Sequence, residues 1–292
     1  MSTIARWLPW VARLAWVLVA VVGGRAIEAA VDGRSSAVRW VAGVGGWAAW
    51  GLVLGALLIA SVRSLTIVRV GVPVSAAVAI AVVVAGVSPA DLLSFVVPAA
   101  VTLLVVFTAE FGRSFAQASA YGDEERFPLR TPAAVGLAAA VTWVLWAAAI
   151  VAGPLLLAAR SWVAGALVTV VAVAGTVLLA PRWHRLSRRW LVLVPAGIVV
   201  HDPVVLADTM SLRTNQVRRM RLAPDLTEAA DLTGPASGYA VEIETTEAIT
   251  AVFAFTPQEP NGRAIHLTAF LVGPSRPGHA LAAAARRGLP VG

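Results

Sequence analysis

The chain has 292 residues, of which 59% are hydrophobic and only 13% are charged. Because soluble globular proteins carry about 25% charged residues, this composition excludes an ordinary soluble protein. All 23 basic residues are Arg, the net charge is +7, and there is no Cys. The lack of Cys excludes disulfides, iron–sulfur clusters and thiolate metal sites. We attribute the positive charge to Arg residues on one side of a membrane, and we do not expect nucleic-acid binding.

Six long apolar runs fill most of the first 180 residues: Leu8–Ala30, Trp40–Ala60, Val70–Ala90, Leu92–Ala109, Ala133–Ala159 and Ser161–Ala180. A helix needs roughly 20 apolar residues to cross the hydrocarbon core of a bilayer. We therefore predict an integral membrane protein in which residues 1–181 form a bundle of six transmembrane helices. Charged, polar and proline residues return after residue 181, so residues 182–292 are predicted to form a soluble domain.

The distribution of Arg predicts the orientation of the six spans. With the N-terminus inside, eleven Arg residues of the spans and their connections fall on the inner side, and four, Arg25, Arg34, Arg39 and Arg160, fall on the outer side. Positively charged loops remain in the cytoplasm. We therefore expect a multi-pass protein of the plasma (inner) membrane with both termini in the cytoplasm.

Three ionisable residues are candidate polar groups inside the membrane: Arg13, Arg69 and Glu110. Each also lies within a turn or two of a span end, where a long side chain can reach the headgroups. No span carries an ionisable residue at its midplane, which argues against a pump or a secondary transporter. Gly51 and Gly55, four residues apart, either form a homodimer contact or pack inside the same bundle, and we expect the second.

The connection from Glu110 to Thr131 holds the densest polar cluster in the first 181 residues. We predict that six of its residues contact the soluble domain or a partner protein: Tyr121, Asp123, Glu124, Glu125, Arg126 and Arg130. Three consecutive acidic residues could also hold a divalent cation, since hard cations prefer carboxylate oxygens. Because Arg126 and Arg130 can neutralise these acids, we predict no metal site.

A cationic stretch that contains two Trp residues directly follows the last span. Each Arg near an anionic leaflet contributes about 1 kcal/mol to membrane binding. We therefore predict that this stretch anchors the soluble domain to the inner leaflet through Arg182, Trp183, Arg185, Arg188, Arg189 and Trp190.

From Trp190 onward the pattern becomes strand-like. We predict seven strands: Trp190–Val194, Gly197–His201, Val204–Arg213, Gln216–Leu222, Tyr239–Thr245, Ala248–Phe255 and Ala264–Val272. A helix is predicted at Pro277–Arg287, with Gly288 just past its end. Three basic residues near the fourth strand either contact lipid or an acidic partner, or form a solvated strand face: Arg218, Arg219 and Arg221.

Seven strands grouped four and three, followed by one helix, resemble the pleckstrin-homology-like (PH-like) fold in its bacterial, membrane-attached versions. The stretches Trp190–His201 and Val217–Leu222 carry this resemblance. The whole chain is also similar to uncharacterised multi-spanning membrane proteins of GC-rich actinobacteria, through the loop Ala120–Arg130. Phosphoinositide-binding members of the fold place basic residues around the first hairpin, whereas the turn Pro195–Gly197 has no charge. Neither resemblance implies a reaction.

The sequence offers no recognisable catalytic constellation. None of the four His residues forms a metal-binding pair, and His201-Asp202 is explained by a hydrogen bond in a turn. We therefore predict a non-catalytic scaffold or accessory subunit without a cofactor, whose soluble domain binds a protein partner or the inner leaflet. We expect other membrane proteins as partners. The alternative is a transporter or channel for small molecules or lipids.

Overall fold

A computed structural model of the chain describes residues 3–254 and 263–292. The chain divides into two compact units, which we call the helical unit and the β-rich unit. The helical unit comprises Met1–Phe115 and Ala139–Trp183, and the β-rich unit comprises Ala116–Ala138 and His184–Gly292. The expected boundary after residue 181 groups residues 116–138 with the helices, whereas the structure groups them with the strands.

In the described part of the chain, nine helices precede most of the strands: α1 Thr3–Val21, α2 Gly24–Val31, α3 Ser36–Leu58, α4 Val62–Gly71, α5 Val74–Val84, α6 Pro89–Val106, α7 Ala109–Gln117, α8 Ala133–Ala158 and α9 Trp162–Ser187. Six helical segments of the described chain are long and apolar enough to cross a membrane: Arg6–Val31, Ser36–Leu58, Val62–Val84, Pro89–Val106, Ala133–Ala158 and Trp162–Ser187. The prediction of six such helices is therefore confirmed.

Two of the six segments consist of two consecutive helices. Pro73 separates α4 from α5, because proline has no backbone N–H to continue the hydrogen-bond ladder. Helix α4 starts at Val62, so this segment begins earlier than the predicted Val70. The difference arises because Arg63 and Arg69, which we placed outside the span, are helical residues of α4.

Glycine residues set the close approach of α8 and α9. A Cβ atom at Gly153 would lie 2.9 Å from the backbone nitrogen of Thr169, so only glycine allows this helix contact. By contrast, a Cβ atom at Gly51 or Gly55 would meet no atom within 4 Å among the described residues. Within the described chain, therefore, no helix approaches α3 closely at these two glycines, contrary to the expectation that they pack inside the bundle.

The β-rich unit contains eight strands in its described part: β1 Glu125–Pro128, β2 Trp190–Val194, β3 Gly197–His201, β4 Met210–Arg213, β5 Val217–Leu222, β6 Ala230–Asp231, β7 Val241–Phe253 and β8 Arg263–Val272. They form two four-stranded sheets, with the orders β1-β2-β3-β4 and β5-β7-β8-β6. All neighbours are antiparallel except β6 and β8. Helix α10, Pro277–Arg286, follows the last strand.

Several strand predictions are confirmed and others need correction. The bounds of β2 and β3 are those predicted. The predicted strands Tyr239–Thr245 and Ala248–Phe255 are one strand, β7, because a register shift after Glu244 takes the place of the expected turn. Phe255 lies outside the described residues. Strands β1 and β6 were not predicted, so the described chain has eight strands where we expected seven.

One hydrophobic core lies between the two sheets. It combines Leu191 and Ile198 of the first sheet with Ile243 and Phe270 of the second, and Ala283 of α10 packs against it. A separate core lies in the helical unit, around residues such as Trp16, Leu57, Leu65, Phe95 and Phe111. Each unit therefore buries apolar surface of its own.

Candidate functional site

The connection between α7 and α8 is a structural part of the β-rich unit. Strand β1 pairs with β2 in the register Glu125↔Leu193 to Pro128↔Trp190. Just beyond β1, Leu129 forms a bridge with Pro274, which follows β8 of the other sheet. Residues 125–129 thus contact both sheets and cover one edge of the space between them.

The side chains of this connection make further contacts at the same edge of the two sheets. Phe127 is only 2% exposed and belongs to the core between the sheets. Arg130 donates hydrogen bonds from Nη1 to the carbonyl of Pro274 at 3.0 Å and from Nη2 to the carbonyl of Tyr239 at 2.6 Å. Burial lowers the pKa of Arg130 from its ordinary value, and an Arg side chain remains charged at neutral pH. One apolar and one charged side chain therefore fix this segment.

A buried ion pair lies directly beneath the connection. The Nε and Nη2 atoms of Arg189 donate to the two carboxylate oxygens of Asp202 at 2.7 and 2.6 Å. Nη1 of Arg189 also donates to the carbonyl of Arg130. The turn hydrogen bond expected for Asp202 is confirmed, because its Oδ1 accepts from the backbone N–H of Val204 at 3.1 Å. This network ties the connection to the hinge between α9 and β2.

The predicted membrane-surface anchor divides into exposed and buried residues. Arg182, Arg185 and Arg188 are exposed, as an anchor requires. Arg189 is 1% exposed and Trp190 is buried, so the structure corrects their assignment to a leaflet contact. Physically, Arg189 is held by its carboxylate partner. Trp183 is also buried, and its ring lies edge-on to that of Trp146.

The three consecutive acidic residues are engaged by Arg side chains. Asp123 accepts a hydrogen bond from Nη2 of Arg287 at 2.6 Å, and Glu125 lies 3.5 Å from both Arg286 and Arg287, at the end of α10. Glu124 pairs with its neighbour Arg126 at 2.6 Å. The hydrogen bond that Arg287 donates to Asp123 raises the pKa of Arg287. Within residues 3–254 and 263–292, no group of three or more His, Cys, Asp or Glu side chains could hold a metal ion.

An aromatic stack connects the acidic segment to β2 and β3. The guanidinium of Arg126 lies 5.0 Å from the ring centre of Trp190, whose other neighbour is the ring of His201 at 5.4 Å. Burial lowers the pKa of His201 from its ordinary value, and the charge of Arg188 lowers it further. The stack is therefore a structural contact in which His201 is held neutral at physiological pH.

A groove of about 600 Å³ opens on the second sheet. Its charged residues are Arg221, Glu228, Glu242 and Glu244, and its other walls are formed by Pro224, Leu226, Ala229, Ile265 and Leu267. Arg221 bridges Glu242 at 2.6 Å and Glu244 at 3.1 Å. With three acids against one Arg, the groove carries a net negative charge. Leu226 stands at its lip and is 97% exposed.

The buried acid of this groove is Glu242, which is 2% exposed. Burial alone would raise the pKa of Glu242, but hydrogen bonds from Thr227 and Arg221, together with the Arg221 charge, lower it below its ordinary value. The alternating pattern predicts Glu242 on the outer face of its strand. The sequence does not reveal that the loop bearing Thr227 covers it. This groove was missed in the sequence analysis.

Two of the candidate intramembrane residues cap the ends of helices. Nε of Arg13 donates to the carbonyl of Leu57 at 2.9 Å, at the C-terminal end of α3. Nε of Arg69 donates to the carbonyl of Val106 at 3.2 Å, the last residue of α6. Helix C-termini present unpaired carbonyls and favour positive charge. Glu110 lies in the first turn of α7. Both Arg side chains therefore have a structural partner.

The fold and these contacts define a class of protein. Its described residues include six helical segments long and apolar enough to cross a membrane, joined to a β-rich unit that is built from two separate stretches of the chain. Comparison of the sequence and structure with protein-family models, curated proteins and solved structures found no match.

Proposed function

We propose that the protein is a multi-pass plasma-membrane protein that acts without catalysis, as a scaffold or accessory subunit of a membrane complex. The observation that carries this proposal is the participation of residues 116–138 in the β-rich unit. The chain passes between the two units at residues 115–116, 138–139 and 183–184. A domain connected at three points restricts relative movement far more than a domain on one flexible linker does. Such a construction suits a docking platform.

The same observation supports a cytoplasmic position for the β-rich unit. Its two stretches, residues 116–138 and 184–292, run into the start of α8 and out of the end of α9, so both must lie on one side of any membrane that these helices cross. The exposed residues Arg182 and Arg185 lie in the last turns of the final span, and the exposed Arg188 directly follows it on that side. Because positively charged flanks remain in the cytoplasm, we place both termini there.

We further propose that the β-rich unit is a PH-like domain. Two sheets with a core between them and a C-terminal helix, α10, support this assignment. Strand β1 departs from the expected plan, because it comes from the connection before α8 rather than from residues 182–292.

The acidic groove is our candidate for the docking surface. Its net negative charge disfavours an anionic leaflet and favours a partner protein segment with a basic side chain. The small and apolar walls, which include Ala229 and Ile265, would contact the neighbouring apolar residues of that segment. We therefore favour a protein partner over lipid for this surface, whereas the exposed Arg residues at the end of α9 and just beyond it would contact the headgroups.

Site-specific photocrosslinking in native membranes tests the docking surface. A photoreactive residue in place of Leu226 should yield a crosslink to a peptide that contains Arg or Lys. The same residue in place of Tyr121, which is 92% exposed outside the groove, should not. Glu228→Arg should abolish the Leu226 crosslink, whereas Asp208→Arg, an exposed acid outside the groove, should preserve it. A crosslink to lipid, or equal capture at both positions, would refute the assignment.

Thiol labelling tests the membrane topology, because the natural chain has no Cys. Arg34→Cys, between α2 and α3, should react with a membrane-impermeant maleimide on intact cells. Ser237→Cys, in the β-rich unit, should react only after permeabilisation. Labelling of Ser237→Cys on intact cells would contradict the cytoplasmic assignment.

The transporter or channel alternative is disfavoured by the roles of Arg13 and Arg69. Both guanidinium groups are hydrogen-bonded to carbonyls at helix ends. Residues that move charge in transporters must exchange their partners with a substrate or ion, whereas these two stabilise the ends of α3 and α6.

A further inference from the structure

We infer that residues 116–138 are a built-in strand donor, which the C-terminal part of the chain captures only after α8 and α9 have been formed. We call this stretch the donor segment. How the β-rich unit closes rests on the proposed membrane insertion of α8 and α9, and it does not depend on whether the groove binds a partner.

The order of synthesis separates the donor segment from its partners. Strand β1 of the donor segment is synthesised before α8, and every strand that it contacts is synthesised after α9. The hydrogen bond between Arg189 and Arg130 joins residues 59 positions apart, and that between Ser275 and Pro128 joins residues 147 positions apart. Two helices of 26 residues each separate the donor segment from its sheet. The donor segment therefore waits without these partners while α8 and α9 are made.

Before capture, the C-terminal part of the chain lacks the contacts that the donor segment provides. Without β1, the edge of β2 has unpaired backbone N–H and C=O groups, which invite pairing with other chains. The core between the sheets lacks Phe127 and Leu129. The buried Arg189 also loses the carbonyl of Arg130. Residues 184–292 alone therefore form an open structure, with an empty strand position on one edge.

Electrostatic contacts on either side of β1 fix the donor segment. Asp123 binds Arg287 at 2.6 Å, at the end of α10. Arg130 binds the carbonyls of Gly238 and Pro274 at 3.1 and 3.0 Å. Partners from residue 238 onward are the last to be synthesised. Capture thus joins the start of α8 and the end of α9 to one compact unit only when the chain is nearly complete.

Disulfide crosslinking in the full-length chain tests this inference, since the background contains no Cys. Arg126 and Val192 face each other across β1 and β2, and facing residues have Cα atoms about 4.5–5.5 Å apart, within the range that a disulfide spans. Arg126→Cys with Val192→Cys should give a monomer with an internal disulfide. Val199 lies one strand further away, opposite Val192, so Arg126→Cys with Val199→Cys should give none.

The dependence on α9 is tested in the same crosslinking background. Replacing Val170, Val171 and Val173 by Arg should prevent α9 from acting as a span, and the internal disulfide between positions 126 and 192 should then be lost. A disulfide of undiminished yield in this variant would overturn the inference. A dimer joined by this disulfide would overturn it as well, because the donor would then come from a second copy.

A charge exchange distinguishes capture from a general folding defect. Asp123→Arg should lower the yield of the internal disulfide severalfold, and Asp123→Arg with Arg287→Asp should restore it, because the pair is re-formed with opposite signs. Failure of the double variant to recover any yield would contradict the role of this contact. Neither variant changes the groove, so loss of partner binding alone would leave both results unaffected.

Discussion

Replacement of Arg189 by Ala should destabilise the β-rich unit strongly. The side chains of Arg189 and Asp202 are 1% and 0% exposed, so water does not screen their interaction. Removing one partner of a buried pair costs about 3–5 kcal/mol, because the other charge remains buried and uncompensated. The lost hydrogen bond to the carbonyl of Arg130 forms part of that cost. We expect about 4 kcal/mol, a large share of the 5–15 kcal/mol that stabilises a typical domain.

Two further variants isolate the buried charge as the cause. Arg189→Ala with Asp202→Asn should recover about half of the loss, because Asn keeps an acceptor for the N–H of Val204 without a charge. Arg188→Ala changes the neighbouring exposed Arg and should change stability by less than about 0.5 kcal/mol.

A buried Cys, introduced into the β-rich unit, allows its stability to be measured by thiol labelling. Leu191 is fully buried in β2, so Leu191→Cys is the single Cys of the chain and reacts only when the β-rich unit opens. The labelling rate of the full-length protein in detergent, measured against urea concentration, gives the free energy of unfolding of this unit. A loss below about 1 kcal/mol for Arg189→Ala, or no recovery with Asp202→Asn, would refute the reasoning about an uncompensated charge.

The other predictions use the same full-length protein. Phe127→Ala should lower the free energy of unfolding in the thiol assay by about 3–5 kcal/mol, whereas Tyr121→Ala, at an exposed position, should lower it by less than about 0.5 kcal/mol. Equal losses would contradict the position of β1 in the core. Gly153→Ala should lower the thermal midpoint, whereas Gly51→Ala should not. The folded pKa of Glu242 is lowered, so its stabilisation is complete above about pH 4.5 and is lost as the pH falls through the folded pKa. Glu242→Gln should weaken the loss of stability as the pH falls. An unchanged dependence of stability on pH would contradict the stabilising role of the Glu242 carboxylate.

Local patterns account for the elements that could be predicted. An apolar run long enough to span a bilayer is recognisable from its own residues, and the six helical segments follow from that property. Strands β2 and β3 are also local, because the turn after Val194 brings each beside the other. Gly197 has a positive φ of 148°, and a Cβ there would lie 2.0 Å from the carbonyl oxygen of Leu212. The turn therefore requires glycine at this position.

Strand β1 could not be predicted because its stability comes from distant residues. A four-residue segment that ends in Pro128 has a weak strand signal of its own. Its partner, β2, begins only after two long helices. From the sequence we expected contacts with the soluble domain or a partner protein from Tyr121, Asp123, Glu124, Glu125, Arg126 and Arg130. In the structure, residues 116–138 are a part of the β-rich unit itself. The charge and spacing of these residues cannot distinguish a segment that contacts the soluble domain from a segment that contributes a strand to its sheet.

The acidic groove was missed for a related reason. Arg221 and Glu242 lie on different strands, and their contact depends on the register Arg221↔Glu242. Alternation along β7 predicts that Glu242 points away from the core, but it contains no information on the loop that covers it. Burial of a charged residue on an outer face is therefore a tertiary property, which only the fold determines.

The two-part β-rich unit also restricts how the proposed membrane insertion can occur. Residues 116–138 enter α8, and residues 184–292 leave α9, yet both belong to one compact unit. If only one of these helices crossed the bilayer, the two stretches would lie on opposite sides and β1 could not pair with β2. The close approach of Gly153 to Thr169 is consistent with α8 and α9 acting as one hairpin. Pairing of β1 with β2 therefore requires that both helices cross the membrane or that neither does, whichever way the N-terminal spans are oriented.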